Sequence, residues 1–263
     1  MIGLIRVPSP SPIPSPLPGA GMHLRAATFD YWETLIEERE KGAAALETTA
    51  SAFYRRSSRR FHLPPEPVFQ EALRRRLAIT RERMTGELLE VPLDCFFPQL
   101  FEDLGIPHTA NNEASREAVL FITEQVHEAT VVLPGAIEFL GLLKEKGIKL
   151  GLVSNTQIPP AQRHESMRRL GLLPYFDAVV LSSGFTHRKP KPAIFQETLR
   201  LLQVQPEECL HFGDSLNADV KGARGAGILS VQVMAGRNAA SACEAELVIR
   251  DWRAARALFA RLL

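Results

Sequence analysis

Cysteine is scarce in this 263-residue chain: Cys95, Cys209 and Cys243 are widely spaced, and no Cys-x-x-Cys pair occurs. That spacing disfavours zinc knuckles and thioredoxin-like redox chemistry and reads as free thiols in a reducing cytosol. No apolar run reaches the roughly 18 residues of a membrane span, so no membrane partner is expected. An excess of one charge is also missing. The formal net charge is +1, which argues against a dominant nucleic-acid footprint. Internal repeats are absent. Gly222 to Gly227 holds closely spaced glycines, but their order is not that of a dinucleotide fingerprint and better suits a helix packed closely on a strand.

What is present is an ordinary globular composition, 45% hydrophobic, in a length that suits one large domain or a core with an inserted module. In residues 1–21, prolines from Pro8 to Pro18 alternate with small residues. This predicts an extended, disordered polyproline-like tail and a poor secretory signal, with Met22 as a second candidate start. Leu24 to Phe29 is a short apolar run ending at Asp30 and reads as a buried strand. A mainly helical block follows over 37–132, with periodic segments at Ala43 to Tyr54, Pro67 to Thr80 and Asn112 to Ala129.

After Gly135 the rhythm changes to strands at Ile148 to Val153, Ala178 to Leu181, Cys209 to Phe212, Ile228 to Val233 and Glu246 to Ile249, with helical patterns at Ala136 to Lys146, Pro160 to Leu170, Ala193 to Leu202, Asn217 to Ala226 and Trp252 to Leu262. Strands alternating with helices predict a parallel sheet covered on both faces, in the α/β class. The helical block interrupts that alternation after the first strand and reads as an insertion. The expected division is a tail (1–21), an α/β core (22–36 and 133–263) and a helical module (37–132).

Four segments end strands, or begin the loops after them, on one sheet edge, where open α/β folds bind ligands. They are Asp30 to Thr34, Ser154-Asn155, Lys189 to Pro192, and Gly213-Asp214 to Asp219. Together they supply carboxylates, a hydroxyl, an amide and a cation. That set meets the needs of phosphoryl transfer, and carboxylate oxygens suit Mg²⁺.

Phe29-Asp30-Tyr31-Trp32-Glu33-Thr34-Leu35, Leu152-Val153-Ser154-Asn155, Arg188 to Phe195, and His211-Phe212-Gly213-Asp214 through Asp219 resemble, in order, the four motifs of the haloacid dehalogenase-like hydrolases. The resemblance is to the branch with a helical cap inserted after the first motif, on a Rossmann-like doubly wound parallel sheet, and covers about Arg25 to Leu263. It implies Asp30 as nucleophile, forming an aspartyl-phosphate. It implies Mg²⁺ held by Asp30, Asp214 and the main-chain carbonyl of Trp32. It implies Ser154, Asn155 and Lys189 around the phosphate, with Thr34 and Asp219 in support. The implied partner is a small-molecule phosphate ester, met in the cytoplasm by a monomer or homodimer.

One departure matters. Phosphatases of this family usually carry an aspartate two residues after the nucleophile to protonate the leaving oxygen; here that position is Trp32. A placed acid is worth roughly 10²–10⁴-fold. Three readings stay open: a phosphatase whose acid comes from Glu33, His108 or His127 or whose substrate has a good leaving group; a 2-haloacid dehalogenase that uses an Asp ester without metal; or a binding protein on a weakened scaffold. The metal-type fourth motif favours phosphoryl chemistry. Arginines between Arg55 and Arg83 fall at helical spacing among acids, as on a solvated face. Phe96, Phe97 and Phe101 suit the core of the helical module or the lining of a pocket.

Overall fold

The computed structural model of the protein describes residues 4–5, 23–40, 45–234, 245 and 247–263. The expected polyproline-like tail lies outside them apart from Leu4–Ile5, the two-residue strand β1. The other strands are β2 (Ala26–Phe29), β3 (Ile36–Glu38), β4 (Thr130–Val132), β5 (Lys149–Ser154), β6 (Ala178–Leu181), β7 (Cys209–Gly213), β8 (Leu229–Val233) and β9 (Leu247–Ile249). Seven of them form one sheet in the order β1-β9-β8-β7-β2-β5-β6. All its neighbours run parallel except β1, which is antiparallel to β9. The expected parallel sheet is therefore found. The chain order reverses around β2, the switch point at which such sheets open a crevice beyond their carboxyl ends.

Helices α1 (Leu46–Ser57), α2 (Glu66–Glu82), α3 (Leu93–Asp103) and α4 (His108–Glu128) separate β3 from β4. Then α5 (Ala136–Glu145), α6 (Pro160–Arg169), α7 (Ser182–Phe185), α8 (Pro192–Leu202), α9 (Gly222–Gly225) and α10 (Trp252–Leu262) accompany the sheet strands. In α5, Ala136, Phe139, Leu140 and Leu143 are buried, the i, i+3, i+4, i+7 stripe of a helix laid on a core. Phe139 meets Trp252 of α10, and both lie against Phe29 of β2. Phe29 also stacks on Phe212 of β7 at 4.9 Å between ring centres. This apolar knot holds the two strands whose carboxyl ends carry Asp30 and Asp214.

Helices α1 to α4 surround a second apolar cluster, rich in phenylalanine. Phe96, Phe97 and Phe101 are fully buried in it, so they are bundle core, not a pocket lining. The arginine-rich stretch is a solvated face: Arg60 pairs with Glu113 and Glu117, Arg74 and Arg75 pair with Glu71, and Arg76 pairs with Asp103.

Helix α3 was not legible in the sequence, because Pro92 and Pro98 punctuate it and Pro98 lies inside it. Burying four large side chains (Phe96, Phe97, Leu100, Phe101) at roughly 1.5–3 kcal/mol each outweighs the ~3 kcal/mol an internal proline costs. The β3–β4 ribbon, antiparallel with Ile36 opposite Val132, was also missed. Three-residue strands leave no period to read.

Segment 88–90 crosses to the sheet side and runs beside 186–188. Glu90 N donates to Thr186 O at 2.7 Å and Arg188 N to Leu88 O at 3.1 Å. The Glu90 carboxylate, fully buried, accepts from Arg188 Nη1 at 2.5 Å and from Ser182 Oγ. Burial pushes its carboxyl above the usual range against the pull of Arg188. Glu90→Ala is expected to cost roughly 3 kcal/mol in chemical denaturation, because truncation strands a partly buried guanidinium. A change under about 0.5 kcal/mol would mean that this tie contributes nothing.

Candidate active site

Register brings the site together. Phe29 of β2 lies level with Leu152 of β5 and with Phe212 of β7. Each strand therefore ends within a residue or two of its neighbour, and Asp30, Ser154 and Asp214 emerge side by side. Asp30 N donates to Phe212 O at 2.8 Å, which extends the ladder by one bond and fixes the start of the loop. Carboxylate oxygens of Asp30, Asp214 and Asp219 all lie within 4.8 Å of one another.

Lys189 Nζ reaches between two of these acids, at 2.6 Å from Asp30 Oδ1 and 2.6 Å from Asp219 Oδ1. Burial works against the ammonium, but the charges of Asp219 and Asp30 outweigh it and hold Lys189 above its usual range. The lysine is steered from behind by Asn155, whose side chain donates to Lys189 O at 3.0 Å and accepts from Lys189 N at 2.8 Å. The Asn155 amide expected near a phosphate is thus engaged with main chain.

Asp219 is held by more than Lys189. Its Oδ2 accepts from Ser215 N at 3.0 Å, and its Oδ1 lies 3.1 Å from His211 Nε2. Burial pushes the imidazole below its usual range. A neutral ring that donates from Nε2 to Asp219 must accept at Nδ1, and Thr28 Oγ1 lies 3.0 Å from it. Burial raises the Asp219 carboxyl, but Lys189 and His211 overrule it and hold it at about 2. His211 and Thr28 were not singled out in the sequence. They sit on strands as ordinary inward-facing residues, and only the neighbouring strand reveals the relay.

The segment after Asp214 departs from the ordinary helix expected over Asn217 to Ala226. Leu216–Lys221 forms a widened π-type turn before α9. Ser215 caps it by accepting from Ala218 N at 3.1 Å. The wide turn folds Asp219 back over Gly213, where a Cβ would lie 2.3 Å from the Asp219 carboxyl carbon. Gly213→Ala is expected to push Asp219 off Lys189 and His211. The measurable results are a fall in thermal stability and at least a tenfold loss of any activity that needs Lys189; an unaltered melting temperature and rate would show that the clash relaxes freely.

The acid cluster carries excess negative charge. Three carboxylates face one ammonium and a neutral imidazole, a balance of minus two when all are ionised. Burial first, then the charge of Asp30, pushes Asp214 up to about 7. Asp30 is raised to about 6 by burial against the pull of Lys189. A closely set, oxygen-only donor group with this imbalance fits a hard divalent cation.

A cavity of about 200 Å³ is lined by Tyr31, which follows Asp30, and by Ser154 at the end of β5, while none of the three carboxylates lines it. On the sheet side it is lined by Tyr31, Trp32, the stretch from Ser154 to Ile158, and Arg163. Its other wall is apolar: Leu46, Leu93, Ile122 and Val126 of the helical block. Trp32 packs against both apolar clusters and so stands at their junction. Thr34 is fully buried behind the loop, where its main-chain oxygen accepts from Trp252 Nε1 at 2.9 Å. Glu33, His108 and His127 do not line the cavity. Cys209 is buried, with its thiol pushed up to about 12 by that burial, and Cys95 is exposed. Cys243 lies outside the described residues. Among the described residues, no helix is long and apolar enough to cross a membrane.

A family model described as haloacid dehalogenase-like hydrolase matches residues 24–227. A glyceraldehyde 3-phosphate phosphatase from Methanopyrus kandleri is 38% identical over 40% of this chain and 44% of its own length. A phosphorylated carbohydrates phosphatase from Thermotoga maritima is 34% identical over 62% of this chain and 76% of its own. The chain spans about half the length of several of the curated relatives it matches. Among solved structures, a 2-haloacid dehalogenase from Pseudomonas syringae aligns over 91% of this chain and 100% of its own, with a TM-score of 0.69 and 22% identity, a likeness of fold alone. The family match spans both the helical block and the strands that carry the acid cluster: the chain belongs to the haloacid dehalogenase-like hydrolases.

Proposed function

We propose that the protein is a Mg²⁺-dependent phosphatase acting on a small phosphorylated metabolite, with helices α1 to α4 as the cap over its site. The observation that carries this reading is the cluster of Asp30, Asp214 and Asp219 around Lys189, at the carboxyl ends of β2 and β7. The phosphatase names of the two relatives support it. The residues that would hold Mg²⁺ are Asp30, Asp214 and the main-chain carbonyl of Trp32. The chemistry it supplies when bound is neutralisation of charge between nucleophile and phosphoryl group.

Asp30 acts as nucleophile: one carboxylate oxygen bonds to phosphorus as the bond from phosphorus to the leaving oxygen breaks. Water then attacks the aspartyl-phosphate, returning the carboxylate and releasing phosphate. Lys189 offsets negative charge on Asp30 and on the phosphoryl oxygens, and Asp219 with His211 fixes its direction. Ser154 and the main-chain N–H of Asn155 serve the phosphoryl oxygens. Nothing among the described cavity-lining side chains replaces the missing aspartate: no carboxylate or imidazole is there, and Tyr31 is held above its usual range by burial. The leaving group must therefore depart with little help, which favours substrates whose leaving oxygen is weakly basic.

Trp32 and the apolar wall also favour a second reading, attack of Asp30 on a carbon–halogen bond, which needs no proton for the leaving halide. A panel of phosphate esters with and without Mg²⁺, with 2-haloacids as a separate arm, decides between them. Mg²⁺-dependent phosphate release is the expected result; metal-independent halide release would reverse the order.

A further inference from the structure

Among the described basic residues, Arg163 stands out. Its neighbours on α6, Arg168 and Arg169, lie on the surface and pair with Glu165 and Glu124. Arg163 is only 5% exposed and has no carboxylate partner among the described residues. Pro159 and Pro160 start α6 immediately after the loop from Ser154. One turn later the helix turns Arg163 inward, toward that loop. Its Nη2 donates to Thr156 Oγ1 at 3.0 Å, and the Tyr31 side chain interacts with the guanidinium. The guanidinium lies over the Tyr31 ring, 5.1 Å from its centre, and Nε is buried without a partner.

Burying an unpaired charge is costly, and guanidinium stays protonated at any ordinary pH. A planar fork with five donors, most of them unused, is therefore stored at the wall of the cavity. Arg163 is also the single charged residue among the described residues lining that cavity. Its surroundings there are neutral: the Tyr31 ring, Ser154, Thr156 and Gln157 on one side and aliphatic side chains on the other. An anion entering this space meets one cation with unused donors and no competing carboxylate. At about 200 Å³ the cavity is small, which suits a short substrate.

We propose that Arg163 binds a second anionic oxygen group, carboxylate or phosphate, at the far end of the substrate, so that the preferred substrates are short phosphate esters with a second negative charge. This rests on the phosphatase reading for the first phosphate. The second group completes the fork of Arg163, while the acid cluster handles the group to be transferred. A site built to pair a charged group rejects an analogue that lacks it far more strongly than an apolar pocket rejects a missing methylene.

The test uses matched pairs on the full-length protein with Mg²⁺. One arm compares 3-phosphoglycerate with glyceraldehyde 3-phosphate, which share a three-carbon skeleton and differ in the terminal carboxylate. The other compares propane-1,3-diol bisphosphate with its monophosphate. The wild type is expected to favour the doubly anionic member of at least one pair by about 30-fold or more in kcat/KM, mostly through KM, and the favoured pair tells carboxylate from phosphate. Arg163→Gln collapses that ratio to near one, and Arg163→Lys restores part of it, since it keeps the charge without the fork. A wild-type ratio near one in both pairs overturns the proposal, as does a ratio that survives in Arg163→Gln.

Calorimetric binding of the same pairs to the Asp30→Asn protein, with and without Arg163→Gln, reads the Arg163 site without turnover. Preference in binding without any phosphate release would sink the phosphatase reading and keep the anion site; release without preference would do the reverse.

Discussion

Asp30→Asn is expected to leave no phosphate release above background from an activated aryl phosphate in the presence of Mg²⁺. The amide keeps the shape of the carboxylate and leaves the main-chain bond from Asp30 N to Phe212 O untouched. What it removes is the attacking oxygen's charge and one of the two acids that hold Lys189 at 2.6 Å. Loss of a nucleophile that acts with its partners as one unit costs on the order of 10⁴-fold or more in turnover. At about 1.4 kcal/mol per decade that is roughly 5.5 kcal/mol or more of lost transition-state stabilisation. Stability should move the other way or not at all, because three carboxylates crowd this site and Asp30 is already raised to about 6 by burial. A rate within tenfold of wild type, in a variant with an unchanged melting temperature, would remove Asp30 from the chemistry.

The second large effect concerns the aspartate that this chain lacks. Without a placed acid, the rate should depend steeply on the basicity of the leaving oxygen: fast on nitrophenyl phosphate, slow on alkyl phosphates. Trp32→Asp should flatten that dependence and raise kcat/KM on alkyl phosphates by roughly 10²-fold, the lower end of what a positioned acid contributes. The same change removes a ring that packs against both apolar clusters. A stability loss of about 2–4 kcal/mol should accompany it, less than for a fully buried tryptophan. Trp32→Phe separates the two effects, because it keeps most of the apolar contact and supplies no proton. A plot of log kcat/KM against leaving-group pKa reads the result. Equal slopes for wild type, Trp32→Phe and a folded Trp32→Asp would show that another group already delivers the proton, against a cavity in which none is found.

Much of the core could be read from residue order. Buried parallel strands are short unbroken apolar runs, and the runs ending at Phe29, Val153, Leu181, Phe212 and Val233 match strands within a residue or two. Helices α5 and α8 have glycine or proline at an end as well as an apolar stripe, and α10 has the stripe alone. The departures have local causes. Helix α3 contradicts its own prolines because four buried side chains outweigh them. The turn over Leu216–Lys221 is wider than an α-helix, and this is the form in which Asp219 lies back over Gly213.

The acid cluster was legible for a different reason. Asp30, Ser154 and Asp214 all sit at strand ends, so a rule about sheet edges was enough to bring them together. Lys189 belongs to a loop; the family pattern put it around the phosphate, and the geometry sets it between Asp30 and Asp219.

Apolar periodicity and turn residues, which act over a few positions, determined by themselves where the core strands and most helices fall and which edge of the sheet bears the acids. Tertiary packing alone decided the rest: that His211 and Thr28 stand behind Asp219, that Glu90 reaches Arg188 across 98 positions of chain, and that Arg163 turns into a cavity without a counter-charge. The difference is physical. Local structure follows from the conformational preferences of each short segment, whereas the charge a buried side chain meets depends on which distant segment is packed against it.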